Sequence, residues 1–298
     1  MNIRRMLVSL IALCAAWPLA AQQDMSQVQI EAQKVAEGIY MLVGRGSNVG
    51  VSVGDDGVAI VDDQYAPLAP KIMAALQKLS DKPVKFVVNT HWHGDHTGGN
   101  EAFGKAGSII VAHGNVRRRM SVEQVNAWGK TPPSPVAALP IITFDRAVTL
   151  HWNGEDLEVI HVPNAHTDGD AIIRFRKSNV VHMGDIFFNY WYPFIDTGSG
   201  GSVNGVVSAV DAVLASIDDK TKIIPGHGLL ATKADLATYR DMLATVRDRI
   251  AKLIEEGRTK EEVVAAKPSR EFDEKWGGQF LKPDQWVGLL YEDLRKSS

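Results

Sequence analysis

The run Asn89-Thr90-His91-Trp92-His93-Gly94-Asp95-His96-Thr97-Gly98-Gly99-Asn100 constrains this 298-residue chain more than any other segment. Three His and one Asp fall within six residues, interleaved with Gly, directly after the apolar run 84–88. Imidazole nitrogens suit zinc, and a neighbouring carboxylate suits a second ion or its water. Three later segments repeat the pattern of a donor on a Gly-rich loop after a strand: His166 in 163–170, Asp185 in 183–185 and His227 in 225–228. Any of these His taken alone reads as a packed or solvated residue. Five of the nine His on such loops, together with Asp95 and Asp185, read as one constellation.

Around these loops the chain alternates short apolar runs with helical spacing. Runs 39–43, 49–53 and 58–61, separated by Gly-rich turns, predict a meander of strands. Residues 67–79 carry apolar positions at 68, 72, 73, 76 and 79, with Pro67 in the first turn, and predict a helix. Strands are expected at 84–88 and 108–112, a polar helix at 115–130 and a Pro-rich loop at 131–140. Further strands are expected at 141–144, 147–152 and 155–162, with Asn153-Gly154 as a two-residue hairpin turn. Strands at 171–175, 180–183 and 222–224 frame a helix at 203–217, and the chain reads as mostly helical from about Lys233. The halves echo each other: strand, acidic residue, helix, strand, His. Two such halves, each a sheet covered by helices on one side, predict an α/β protein built as a four-layer αββα sandwich with C-terminal helices.

Composition matters mainly for what it excludes. With 45% hydrophobic and 22% charged residues the chain is an ordinary globular one, and a net charge of −3 gives no electrostatic reason to expect nucleic acid. Arg4 and Arg5, the apolar run 6–17 and the small residues Ala20 and Ala21 follow the order of a secretory signal peptide. That run is too short for a comfortable membrane span. The expected organisation is therefore a signal peptide at 1–21 and one domain at 22–298, periplasmic or secreted, with no stable membrane anchor after cleavage. Cleavage there removes Cys14, the only Cys, so the mature chain has no thiol.

The set His91, His93, Asp95, His96, His166, Asp185 and His227 resembles the metallo-β-lactamase-fold hydrolases, whose hallmark is His-x-His-x-Asp-His followed by a lone His, Asp and His. The likeness covers roughly residues 35–230. It implies an αββα sandwich with two metal ions in a groove at one edge of the sheets. His91, His93 and His166 would bind the first zinc, Asp95, His96 and His227 the second, and Asp185 would bridge both or support the second. Iron or manganese would suit the same donors. A hydroxide between the ions would attack a carbonyl, and Asp95 would orient it and pass a proton to the leaving group.

Several β-lactamases of that superfamily place a Cys where this chain has Asp185, so the match to them is incomplete. The ligand set looks more like glyoxalase II and the related esterases, lactonases and thioesterases. Export nevertheless makes a β-lactam amide the expected small-molecule substrate, with a thioester, lactone or ester as the alternative. A two-iron redox member is less expected, since no flavodoxin-like extension follows the site; nor is a non-catalytic binder, since Asp95 is kept beside every ligand.

Other residues carry less. Phe187, Phe188, Tyr190, Trp191 and Tyr192 could wall an apolar groove or simply pack. The segment 45–48 reads as a turn rather than a flap, and 199–202 as a helix N-cap at Ser202. His113, His151, His161 and His182 read as structural, and Arg117 to Arg119 as a solvated helix face. Asp62 and Asp63 are candidates to support the ligand imidazoles.

Overall fold

A computed structural model describes residues 24–126 and 129–297. The proposed signal peptide lies outside the described residues. The chain opens with β1 (Glu31–Ala36), β2 (Ile39–Val43), β3 (Val49–Gly54) and β4 (Gly57–Val61), an antiparallel meander. Helix α1 (Ala69–Gln77) then carries the chain back so that β5 (Val84–Val88) lies parallel to β4. Short helices α2 (Gly94–Thr97) and α3 (Asn100–Lys105) lead to β6 (Ile109–His113), parallel to β5. Helix α4 (Gly114–Met120), the hairpin β7 (Gln124–Asn126) and β8 (Gly129–Thr131), and a Pro-rich stretch lead to β9 (Ile142–Phe144), which closes a seven-stranded sheet in the order β1-β2-β3-β4-β5-β6-β9.

The second sheet has five strands in sequence order: β10 (Ala147–Trp152), β11 (Glu155–His161), β12 (Ala171–Phe175), β13 (Val180–His182) and, after helix α5 (Val203–Ser216), β14 (Lys222–Ile224). Asn153 and Gly154 both take positive φ, 56° and 68°, as the tight β10–β11 turn requires. Strands β13 and β14 pair in parallel across α5, as β4 and β5 do across α1. The internal echo is therefore a real repeat of architecture. Helices α6 (Lys233–Glu255), α7 (Lys260–Ala265), α8 (Asp273–Trp276) and α9 (Pro283–Ser297) complete the chain. No helix among the described residues is long and apolar enough to cross a membrane.

Burial sorts these elements into four layers. Val61, Val88 and Val111 from the first sheet meet Leu157, Ile173 and Ile224 from the second in one buried cluster between the sheets. Leu68, Ile72 and Leu76 cover the outer face of the first sheet at Val51, Ile60 and Val87. Val206, Val210, Leu243 and Leu290 of α5, α6 and α9 cover the second at Val181 and Ile223. The αββα sandwich and the helical C-terminus stand as expected, and the C-terminal helices pack into the outer layer.

Two readings need correction. The helix expected over 115–130 stops at Met120 and gives way to the β7–β8 hairpin. Ser121 takes the C-cap, donating its amide to Arg117 and Arg118 carbonyls and its hydroxyl to Arg117 O at 2.6 Å. Strand β1 was not expected at all, because Glu31–Lys34 expose every side chain and show no apolar alternation; backbone pairing to β2 makes the strand.

Candidate metal centre

All seven donors lie at one edge of the two sheets, on segments that follow strands. Strand β5 delivers His91 and His93, α2 carries Asp95 and His96, the β11–β12 loop carries His166, and Asp185 and His227 follow β13 and β14. Local chemistry fixes each loop. Asp62, just past β4, accepts from Thr90 N at 2.8 Å and Thr90 Oγ1 at 2.7 Å, locking the start of the His91 loop. Asp170 receives the amides of His166 and Thr167 at 2.6 and 2.8 Å, folding the His166 loop into a tight turn. Gly226 permits β14 to pass against Asp185: a Cβ there would sit 2.1 Å from Asp185 Oδ1.

The donors form two groups, His91, His93, His166 and Asp185, and Asp95, His96 and His227, with donor atoms within each group lying no more than 4.8 Å apart. In the first, His93 Nδ1 lies 3.0 Å from His91 Nε2 and 2.9 Å from His166 Nε2. Asp185 Oδ2 stands 3.5 Å from His166 Nε2 and 3.9 Å from His91 Nε2. In the second, His227 Nε2 is 3.4 Å and His96 Nε2 3.7 Å from Asp95 Oδ2. Asp185 Oδ1 reaches this group, 3.1 Å from His96 Nε2 and 3.3 Å from His227 Nε2. One carboxylate thus turns one oxygen to each group.

The outer ring nitrogens decide whether a cation fits. His166 Nδ1 donates to Phe194 O at 2.8 Å, and His93 Nε2 to Asp196 Oδ2 at 2.9 Å. His91 Nδ1 faces Thr90 Oγ1 at 3.1 Å, a hydroxyl whose proton goes to Asp62. His96 Nδ1 meets Asp62 Oδ2 at 2.7 Å. A neutral ring that donates its outer N–H turns a bare lone pair inward, and the inner nitrogens of His91, His93 and His166 converge about 3 Å apart. Burial supports the neutral form: it pulls the His166 pKa down to about 4, and burial with the neighbouring imidazoles His96 and His166 holds His91 well below its usual value. Converging lone pairs with outer N–H groups anchored on carboxylate or carbonyl is the arrangement metal ligation uses.

The second group differs in charge. Burial opposes protonation of His227, but Asp185 and Asp95 outweigh it and raise its pKa to about 9. His96 is likewise raised, against burial, by Asp185, Asp95 and Asp62. The carboxylates of Asp95 and Asp185 are held below their ordinary range by these imidazoles, although burial pushes the other way. Asp185 Oδ1 and His96 Nε2 are buried and make no hydrogen bond. A cation between them would satisfy both.

The supporting residues sort cleanly. Asp62 holds His96, whereas Asp63 receives only the Gly99 amide, at 2.8 Å. Phe187 and Tyr192 are core side chains, against Tyr239 and Trp286, while Phe188 and Trp191 stack with His227. Segment 45–48 is a tethered turn: Ser47 Oγ donates to Asp95 O at 2.8 Å and Asn48 Nδ2 to Pro225 O at 2.9 Å. Ser202 caps α5. His113 caps α4 and stacks on His161 at 3.7 Å, and His151 pairs with Asp156 at 2.6 Å on the surface. The arginine run corrects expectation in part: Arg117, which donates to Pro140 O, and Arg118 are exposed as a solvated face requires, whereas Arg119 is half-buried and forks onto Asp168 with two 2.8 Å bonds. Asp196 and Phe194 went unnoticed in the sequence because no motif marks the segment 193–199 that brings them to His93 and His166.

A two-sheet sandwich with a His/Asp cluster at one edge defines an α/β protein with a candidate metal centre. The family model described as the metallo-beta-lactamase superfamily matches residues 42–227, and the chain belongs to that superfamily. It is 26% identical over 214 residues to a hydroxyacylglutathione hydrolase from Polaromonas sp., covering 68% of this chain and 73% of the relative. Among solved structures, a metallo-beta-lactamase from Pontibacter korlensis aligns with TM-score 0.60 at 18% identity, over 72% of this chain and 99% of that one. The inverting sec-alkylsulfatase Pisa1 from Pseudomonas sp. aligns with TM-score 0.64 at 21% identity, over 89% of this chain and 50% of that one. These two likenesses are likenesses of fold.

Proposed function

We propose that the chain is an exported dinuclear zinc hydrolase that cleaves a thioester, lactone or other ester. The observation carrying the metal reading is the convergence of lone pairs from His91, His93 and His166 beside the carboxylate of Asp185. The similarity to a hydroxyacylglutathione hydrolase supports the thioester and ester reading over the β-lactam one. Export is supported by the basic start and the apolar run 6–17, and fractionation of the expressing cells checks it.

His91, His93 and His166 would hold one ion, Asp95, His96 and His227 the other, and Asp185 both. Ions held there supply Lewis acidity to the carbonyl and acidify water. The chain's own contribution is positional and protonic. Asp62 and Asp196 fix the rings of His96 and His93. Asp95 is ionised, 20% exposed and turned by Oδ2 toward His227 and His96, which leaves its Oδ1 to take a proton from water and return it to the departing sulfur or oxygen. The net reaction adds the elements of water: hydroxyl to the acyl carbon, hydrogen to the leaving thiol or alcohol.

Metal analysis of the purified protein, followed by a panel of thioesters, lactones, esters and nitrocefin, tests the proposal. We expect two zinc equivalents, turnover on the ester-type substrates, and a loss of roughly 100-fold or more in kcat for Asp95→Asn. Nitrocefin turned over faster than every ester-type substrate would establish the β-lactam alternative instead. Two bound metals with no turnover on any substrate would make the chain a binding protein.

A further inference from the structure

Besides Trp92, which meets His93 at 4.7 Å, aromatic side chains from two stretches far apart in the chain lie near the metal centre. In the loop after β13, Phe188 and Trp191 stack with His227 at centroid distances of 5.0 and 5.4 Å, and Phe194 lies 6.2 Å from His93 and 6.0 Å from His166. Phe280, between α8 and α9, meets Phe194 edge-on at 6.5 Å. Its side chain is 56% exposed, and Leu229, two residues past His227, is 73% exposed. The cations near Phe280 in sequence are directed elsewhere: Lys275 lies over the Tyr190 ring at 4.2 Å, and Lys282 Nζ donates to Gly278 O at 3.3 Å. What the C-terminal part presents to the centre is therefore a ring, half in water.

A large apolar side chain held at the mouth of a polar centre gains when an apolar group covers it. We propose that Trp191, Phe194 and Phe280 form a wall that selects acyl groups bearing an alkyl chain or an aryl ring, with the C-terminal segment completing the substrate site. This rests on the hydrolase reading above. The acyl group stays on the carbonyl carbon as the leaving group departs. We place that acyl group, rather than the leaving group, against the rings beside the ligand imidazoles. A small acetyl group would not reach Phe280. A substrate recognised by its charge would instead be read by a cation such as Arg45, the chain neighbour of Gly46, where an added Cβ would lie 3.1 Å from the Cβ of Asp95.

Binding of acetate, hexanoate and decanoate to the zinc-loaded protein, measured by calorimetry, tests the wall without requiring turnover. Affinity is expected to rise about tenfold or more from acetate to hexanoate, as burial of a few methylenes provides. Phe280→Ala and Trp191→Ala should each remove most of that gain, with acetate binding unchanged in Phe280→Ala, while Arg45→Ala should leave the chain-length preference intact. In turnover, the hexanoyl-to-acetyl ratio of kcat/KM for thioesters should fall about tenfold in Phe280→Ala. A flat affinity series, or a preference that responds to Arg45→Ala and not to Phe280→Ala, overturns the wall. Thioester turnover without chain preference sinks the wall and keeps the hydrolase. Chain-dependent carboxylate binding with no turnover does the reverse.

Discussion

Asp62 sits at φ 63°, a backbone region an Asp enters at some cost, and is fully buried. The carboxylate it places there binds Thr90 twice and His96 once, so the strain is offset by the start of the metal loop being fixed in one geometry. Asp196 serves His93 in the same way, itself held by the Ser199 hydroxyl at 2.6 Å. Removing such an outer partner loosens the ligand ring without deleting a ligand. Asp196→Ala is expected to weaken the zinc equivalent held by His93 by about 10- to 100-fold and the other much less, whereas Asp62→Ala, which releases both Thr90 beside His91 and the ring of His96, should weaken both, read by chelator competition. Equal weakening of both equivalents by Asp196→Ala would contradict the division into two groups. His182 is a different case, a buried imidazole that donates from Nε2 to Asn48 O and accepts the Gly184 amide. Burial pulls its pKa down to about 4, against an ordinary value of 6.5. The unfolded chain therefore binds the proton first, and the stabilisation present above pH 6.5 is lost as pH falls toward 4. The difference in unfolding free energy between wild type and His182→Gln should shrink by about 2 kcal/mol between pH 7 and pH 5 in denaturant titrations. A difference that stays constant over that range would mean the ring titrates normally.

Between elements, the closest approach near the site is that of α5 to the loop carrying His166. A Cβ on Gly205 would lie 1.7 Å from Asn164 O, and one on Gly201 would lie 2.2 Å from His166 O, both backbone atoms that cannot step aside. Gly205→Ala must push helix or loop away, at a cost of roughly 3 kcal/mol, and should reduce zinc affinity because His166 moves with the loop. Gly278→Ala, where nothing lies within 4 Å of the added carbon, serves as the control and should change stability by less than about 0.5 kcal/mol. Elements with an apolar rhythm were legible in the sequence. Strands β2, β5, β10, β12 and β14 run between the residues their apolar runs mark. Strand β1 was not legible, because its exposed side chains record nothing of the backbone ladder that pairs Glu31 with Val43. The hairpin β7–β8 was hidden by polar residues that suit a helix equally well, and α4 stops where Ser121, Gln124 and Ser134 take up its last carbonyls. The same limit applies at the site: seven donors stand out by type and spacing, whereas Phe194 and Phe280 reach it through irregular segments without a pattern to read.

For the molecule as a whole, the site is one of the places where polar chemistry joins the two sheets; Asn153 of the β10–β11 turn joins them at another, through Ser52, Asp56 and Gly57. His91, His93, Asp95 and His96 follow β5 of the first sheet, while His166, Asp185 and His227 belong to loops of the second. Any ion held by both sets cross-links the sandwich and stabilises only the folded chain. At a free metal concentration about a thousand times its dissociation constant, one such ion contributes roughly 4 kcal/mol. Each kcal/mol moves the midpoint of a domain this size by about 2–4 °C, so chelation should lower Tm on the order of 10 °C, and added zinc should restore it. The metal-free protein should nonetheless stay folded and melt cooperatively. The cluster of Val61, Val88 and Val111 against Leu157, Ile173 and Ile224 buries the inner faces of both sheets without help from the site. Calorimetry with and without chelator separates the cases. A Tm indifferent to chelation would mean that the ions do not span both sheets, and loss of the folded state on chelation would mean that the apolar core alone cannot hold them together.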